Sequence, residues 1–150
     1  MEWEFPTADE LATLCEAAAV APEDQRRLEH ALRGLGVTVT ELGACMERHM
    51  DLEVELAWLA SKYEHLLHHA EEEAAAHRAK RVTELRQETG GPQWSMTAQV
   101  DAEAVYREKL QRAIDVRRVA GLLDKLHGSL RRRESVLKGL SFRDRGFGEG

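Results

Sequence analysis

Apolar residues recur in steps of three and four along most of this chain. From residue 42 to residue 85 they fall at Leu42, Met46, Leu52, Leu56, Leu59, Tyr63, Leu66, Ala70, Ala74, Val82 and Leu85, a spacing that lines up side chains on one face of an α-helix. No proline occurs between Pro22 and Pro92, and no glycine between Gly43 and Gly90. The series therefore predicts one helix ending near Thr89, on the order of 70 Å long at 1.5 Å per residue. Gly90-Gly91-Pro92 is the strongest breaker in the sequence. Beyond it, Ser95 or Thr97 is a candidate cap for a second long helix. Its stripe runs through Val100, Ala104, Ala113, Val116, Val119, Leu123, Leu126, Leu130, Leu137 and Leu140. That helix is expected to fade near Phe142, because Gly146, Gly148 and Gly150 follow.

The first residues are punctuated as sharply. Thr7-Ala8-Asp9-Glu10 has the capping-box pattern and predicts a short helix to about Val20. Pro22 suits the first turn of a second helix, which Gly34 and Gly36 would close after Arg33. Thr38-Val39-Thr40-Glu41 repeats the capping box ahead of the long helix. The predicted architecture is all-α: a long antiparallel helical hairpin, coiled-coil-like, over 37–145 with its turn near 89–96. A two-helix cap at 1–36 precedes it, and a flexible tail at 146–150 follows. Two helices alone leave part of each apolar stripe in water, and the cap can cover only one end. The pattern therefore predicts a homo-oligomer.

Composition agrees with long helices: aromatic residues are 5% and charged residues 32% of 150. Met1-Glu2-Trp3-Glu4 is acidic and no apolar run exceeds Ala17 to Ala21, so neither a signal peptide nor a membrane span is expected and the protein is read as cytoplasmic. Cys15 and Cys45 sit at apolar helical positions and are read as small buried hydrophobes.

Charge changes the picture more. Residues 107–145 hold 12 Lys or Arg against five Asp or Glu, a local +7 in a chain whose net charge is −6. Arg118, Lys125 and Arg132 lie seven apart and stack along a helix; Arg131, Lys138 and Arg145 form a second such row, flanked by Arg117, Arg133 and Arg143. A cationic row of this length suits the repeating phosphates of a nucleic-acid strand. Phe142 and Phe147 stand among the last arginines, where a ring can stack on an unpaired base. The alternative is that these cations neutralise acids of the first long helix, such as Glu53, Glu55, Glu64 and Glu71 to Glu73.

His65, His69, Glu73 and His77 are spaced four apart and share a helix face, with His68 and Glu72 beside them. No matching Glu-x-x-His pattern follows on the second helix, so no metal and no other cofactor is expected. Phosphate-binding loops and nucleophile elbows are absent from the sequence, which points away from an enzyme.

The second half of the chain resembles the UvsY-like phage recombination mediators over about residues 54–150. The likeness rests on a long helix, a Gly-rich break, a second long helix, and an ending of the form Arg-x-Phe-x-x-Gly, here Arg145-Gly146-Phe147-Gly148-Glu149-Gly150. Residues 1–50 have no counterpart. The resemblance implies a small oligomeric helical protein that binds single-stranded DNA and helps load a RecA-type recombinase onto strands covered by a single-strand-binding protein. It carries over to Arg145, Phe147 and Gly150 alone. The rival expectation is a helical-hairpin scaffold or adaptor, a virion or partner-binding component that binds no nucleic acid.

Overall fold

The computed structural model describes the backbone of residues 6–36 and 42–148, and the side chains of 6–33, 50–133, 135 and 139. Every element among these residues is a helix: α1 (Ala8–Ala17), α2 (Pro22–Gly36), α3 (Leu42–Thr89), α4 (Gln93–Ala102) and α5 (Ala104–Gly148).

Local chemistry accounts for most of the ends. At α1 the capping box is complete: the Glu10 amide donates to Thr7 Oγ1 at 3.2 Å, and the Thr7 amide donates to Glu10 Oε2 at 3.0 Å. α1 closes at Ala17, earlier than the predicted Val20, in a Schellman turn. The Val20 amide reaches back to the Cys15 carbonyl at 2.9 Å, and the Ala19 amide to that of Glu16 at 3.1 Å. Ala19 takes the left-handed position there, with φ 53°. Pro22 opens α2 where its missing amide costs nothing. The capping box at Thr38 to Glu41 falls outside the described residues. α3 runs to Thr89 as its spacing predicts, and Gly90 ends it at φ 63°.

The second long helix departs from expectation. Neither Ser95 nor Thr97 caps it; the chain re-enters helix at Pro92, whose carbonyl accepts from the Ser95 amide. It is also not one helix. Glu103 adopts φ −66° and ψ 136° between α4 and α5, although no glycine or proline stands nearby. Two packing surfaces meet there: α4 buries Met96 and lays Val100 into a cluster with Ala74 and Tyr106, while the following stripe meets a different stretch of α3. α5 then continues to Gly148, past Phe142; a helical glycine weakens a helix by about 1 kcal/mol but does not bar it.

α3 and α5 lie against each other over much of their length. Their ion pairs run in opposite order along the two chains, from Arg81–Glu103 through Glu73–Lys109 to Glu71–Arg117. Leu52, Leu56, Leu59 and Tyr63 of α3 pack with Val116, Val119, Leu123, Leu126 and Leu130 of α5. Each such side chain, fully removed from water, contributes roughly 1.5–3 kcal/mol. Ala104, placed in the stripe by spacing, is exposed, because the break at Glu103 shifts the register of the face. Leu42, Met46, Leu137, Leu140 and Cys45 lie outside the described side chains.

The N-terminal pair completes this core at one end. Leu11, Cys15, Ala18, Leu28 and Ala31 join the same cluster. Burial and the nearby Glu29 carboxylate push the Cys15 thiol up to about 11, so the thiol stays protonated. One polar group is sealed at the seam between α2 and α3. The Asp24 carboxylate, 2% exposed, accepts from Lys62 Nζ at 2.6 Å and from the Tyr63 hydroxyl at 2.9 Å. Burial and that carboxylate raise the Tyr63 hydroxyl pKa well above its usual value. Above the node, the half-exposed Trp58 ring receives Arg27 at 4.7 Å and Lys62 at 5.2 Å.

Two outcomes test this account. Ala19→Gly relieves the left-handed strain and is expected to stabilise the fold by about 0.5–1 kcal/mol in urea titrations, after the extra unfolded-chain entropy of glycine is subtracted. Asp24→Ala strands the Tyr63 hydroxyl and the Lys62 ammonium and should cost about 2–4 kcal/mol by the same measurement; a loss under about 1 kcal/mol would contradict the node's role.

Candidate nucleic-acid interface

The buried seam of α5, at Val119, Leu123, Leu126 and Leu130, fixes where its cations point. At 100° per residue, Arg118, Lys125 and Arg132 sit on one flank of the outer face, and Arg131 on the other, roughly 100–140° around the helix axis. Arg131 and the first row therefore border the outer face from two sides. Gly121 and Gly128 run between them, and a Cβ built on either meets nothing within 4 Å.

The cations are not equivalent. Nearest the break, Lys109 Nζ donates to Glu73 Oε1 at 2.7 Å, and Arg117 donates to Glu71 Oε1. Arg118 lies 3.8 Å from Asp115 Oδ1, one turn back on its own helix, with its side chain 64% exposed. Lys125 is exposed and engaged within the chain. Arg133 is half-buried and also engaged. Arg132 is exposed, its Nη2 3.4 Å from the Ser129 hydroxyl. Arg131 is exposed, with no carboxylate partner among the described side chains. Lys138, Phe142, Arg143, Arg145 and Phe147 belong to α5 by backbone, and their side chains lie outside the described ones.

The cations of the basic helix thus stand in two environments. Acids of α3 neutralise it near Lys109 and Arg117, while Arg131 and Arg132 face outward further along. Glu73 shows the neutralisation electrostatically: the hydrogen bond and charge of Lys109 hold its carboxyl below the usual range.

Sequence reasoning missed the strongest ion pairs. Arg78 grips Asp101 with two bonds, Nε to Oδ1 at 2.8 Å and Nη2 to Oδ2 at 3.1 Å. Arg81 forks onto Glu103, with Nη2 to Oε1 at 2.9 Å, while its Nη1 holds Glu84 at 2.6 Å. Both carboxyls are held below their ordinary values by these guanidinium groups. Counting outward from Gly90 brings Arg78 level with Asp101 but leaves Arg81 and Glu103 four residues out of step, so a simple hairpin register signals only the first pair.

The histidine row does not converge. His65 and His69 are exposed, Glu73 is taken by Lys109, and His77 is half-buried with an unpartnered Nε2. Among the described residues, no three His, Cys, Asp or Glu gather as metal ligands would. A cleft of about 540 Å³ lies beside Ala18, Ala19 and Ala70, where Lys109 and Arg112 alternate with Glu73 and Asp115. Its charges are mixed, so it does not concentrate anions. No helix among the described residues is long and apolar enough to cross a membrane.

No family model, curated protein or solved structure matches this chain.

The carboxylate pairs predict an acid limb. Glu73, Asp101 and Glu103 have lowered folded-state pKa values, so their contribution is present above the unfolded carboxylate range and is lost as pH falls through the lower folded values. Urea midpoints should hold level from pH 7 to about 5 and fall below about 4. The triple variant E73Q/D101N/E103Q should show a shallower acid limb.

Proposed function

We propose that this chain is a non-catalytic single-stranded-DNA-binding protein of the recombination-mediator kind, built as a helical hairpin and active as a homo-oligomer. The exposed position of Arg131, without a carboxylate partner among the described side chains, and that of Arg132 on the opposite flank support the reading most directly. Those two residues and Arg118 would contact phosphates and position the strand without reading bases. Lys138, Arg143 and Arg145 would extend the contact, with Phe142 or Phe147 as a stacking surface. Exposed Met50, Val54, Leu110 and Ile114 support self-association, since they leave apolar area uncovered on a single chain. By the resemblance of its second half, the protein would hand strands to a RecA-type recombinase in the presence of a single-strand-binding protein.

A scaffold or adaptor is the second reading, and a specific observation favours it. Lys109, Arg117, Arg78 and Arg81 are all bound to acids of the same chain, as they would be in a protein whose charges serve its own packing.

Binding of a fluorescent oligothymidylate across a salt series separates the two. Affinity should fall with salt by a log–log slope of about −0.7 for each phosphate neutralised. The R131A/R132A variant should flatten that slope by about 1.4, and adding Arg133→Ala should change it less, since Arg133 is half-buried and already engaged. Absence of binding at 50 mM salt, where phosphate contacts are strong, would rule out the DNA reading and leave the adaptor.

A further inference from the structure

The break at Glu103 has no local cause. The segment Val100-Asp101-Ala102-Glu103-Ala104-Val105-Tyr106 contains neither glycine nor proline, and its φ at Glu103, −66°, is already helical. Only ψ departs, at 136°. One backbone torsion therefore separates the bent form from a helix running straight from α4 into α5.

We propose that Arg78 and Arg81 form a latch whose grip on Asp101 and Glu103 keeps this torsion extended, and whose release lets residues 93–148 run as a single helix. Both carboxylates flank the break, one on each side of Ala102, and both guanidinium groups project from successive turns of α3. Arg81 is fixed in place by Glu84, so its fork is oriented before Glu103 arrives. Arg107 serves the same state from the α5 side, with Nε 3.4 Å from the Asp101 carbonyl oxygen. Burial of Met96 and Val100 also favours the bend. Against it stand the backbone bonds that a continuous helix makes and a helix start forgoes. The two contributions oppose each other, which leaves the ion pairs to decide.

The latch is reachable by ions. The side chains of Arg78 and Asp101 are 41% and 45% exposed, and those of Arg81 and Glu103 are 31% and 29% exposed. Salt screens such pairs, and a polyanion can compete for the guanidinium groups. Release would draw Val100 off Ala74 and uncover the neighbouring Val82 and Leu85. The bend thus acts as a strap over that part of α3, independent of whether α5 binds DNA.

The test compares the full chain with its R78A/R81A variant by NMR, reading the 13Cα shift of Glu103 and amide exchange at Ala104 to Tyr106. In the variant the Glu103 shift should move into the helical range, and those amides should exchange about tenfold more slowly. In the unaltered protein, raising salt from 0.05 to 1 M should move the same signals in the same direction, over the range where such pairs are screened. Arg81→Lys, which keeps the charge and loses the fork, should give an intermediate shift. An extended Glu103 that persists in the variant and at 1 M salt would overturn the latch, because packing alone would then hold the bend. So would loss of amide protection across α4 without a helical Glu103, since α4 would be melting and not joining α5.

Discussion

The apolar seam between α3 and α5 is the constraint on which the other features depend. Two long helices in contact offer each other one stripe apiece, and the rest of each surface must be covered or tolerated in water. From Leu52 to Tyr63 the seam faces Val116 to Leu130, and there α1 and α2 add Leu11, Cys15, Leu28 and Ala31 to make a three-sided core. Toward the turn no cap is present, and α4 folds back over Ala74 instead. The same stripe is thus roofed twice by different means. The bend at Glu103 follows directly on the second roof.

That division also explains the uneven charge of α5. Beside Glu71 and Glu73 the facing helix is acidic, and Lys109 and Arg117 are drawn into pairs. Further along, α3 presents Leu56 and Leu52 to the seam, and α2 brings its own Asp24 and Glu29, which are bound to Lys62 and to Arg33 or Gln25. Among the described side chains, no acid pairs with Arg131 or Arg132. Exposed pairs of this sort add little stability, about 0–1 kcal/mol each, so their arrangement bears on electrostatic potential more than on folding.

Much of the helix pattern was legible in the sequence because its causes are local. Apolar spacing marks the faces of α3 and α5, the Thr7–Glu10 box opens α1, and Gly90 to Pro92 ends α3. Where causes are non-local, reading failed. Nothing between Val100 and Tyr106 announces a break, since the groups that enforce it lie on α3, across the turn. Asp24 is by sequence one more acid in the first turn of α2, yet Lys62 and Tyr63, 38 and 39 positions away, make it a buried anchor. Heptad counting finds residues that stack, but the angle between two rows appears only when each is measured from the buried seam.

That angle matters for how α5 meets any partner. Arg118, Lys125 and Arg132 border one side of the outer face and Arg131 the other, with Gly121 and Gly128 on the floor between. Helical glycines cost about 1 kcal/mol each relative to alanine, and here no internal contact requires them, because a Cβ would meet open space. Their effect is to lower the floor and let a partner approach the helix backbone more closely than alanine or leucine would allow. A sugar-phosphate chain lying there would have cations on both sides. A partner helix would find a shallow groove with charged rims, and would need acids at heptad spacing to satisfy them. The two occupants differ in one physical respect: phosphate charge is continuous along its chain, whereas acids on a helix return only once per turn or two. An interface held by the first tolerates sliding along α5, and one held by the second has a single register.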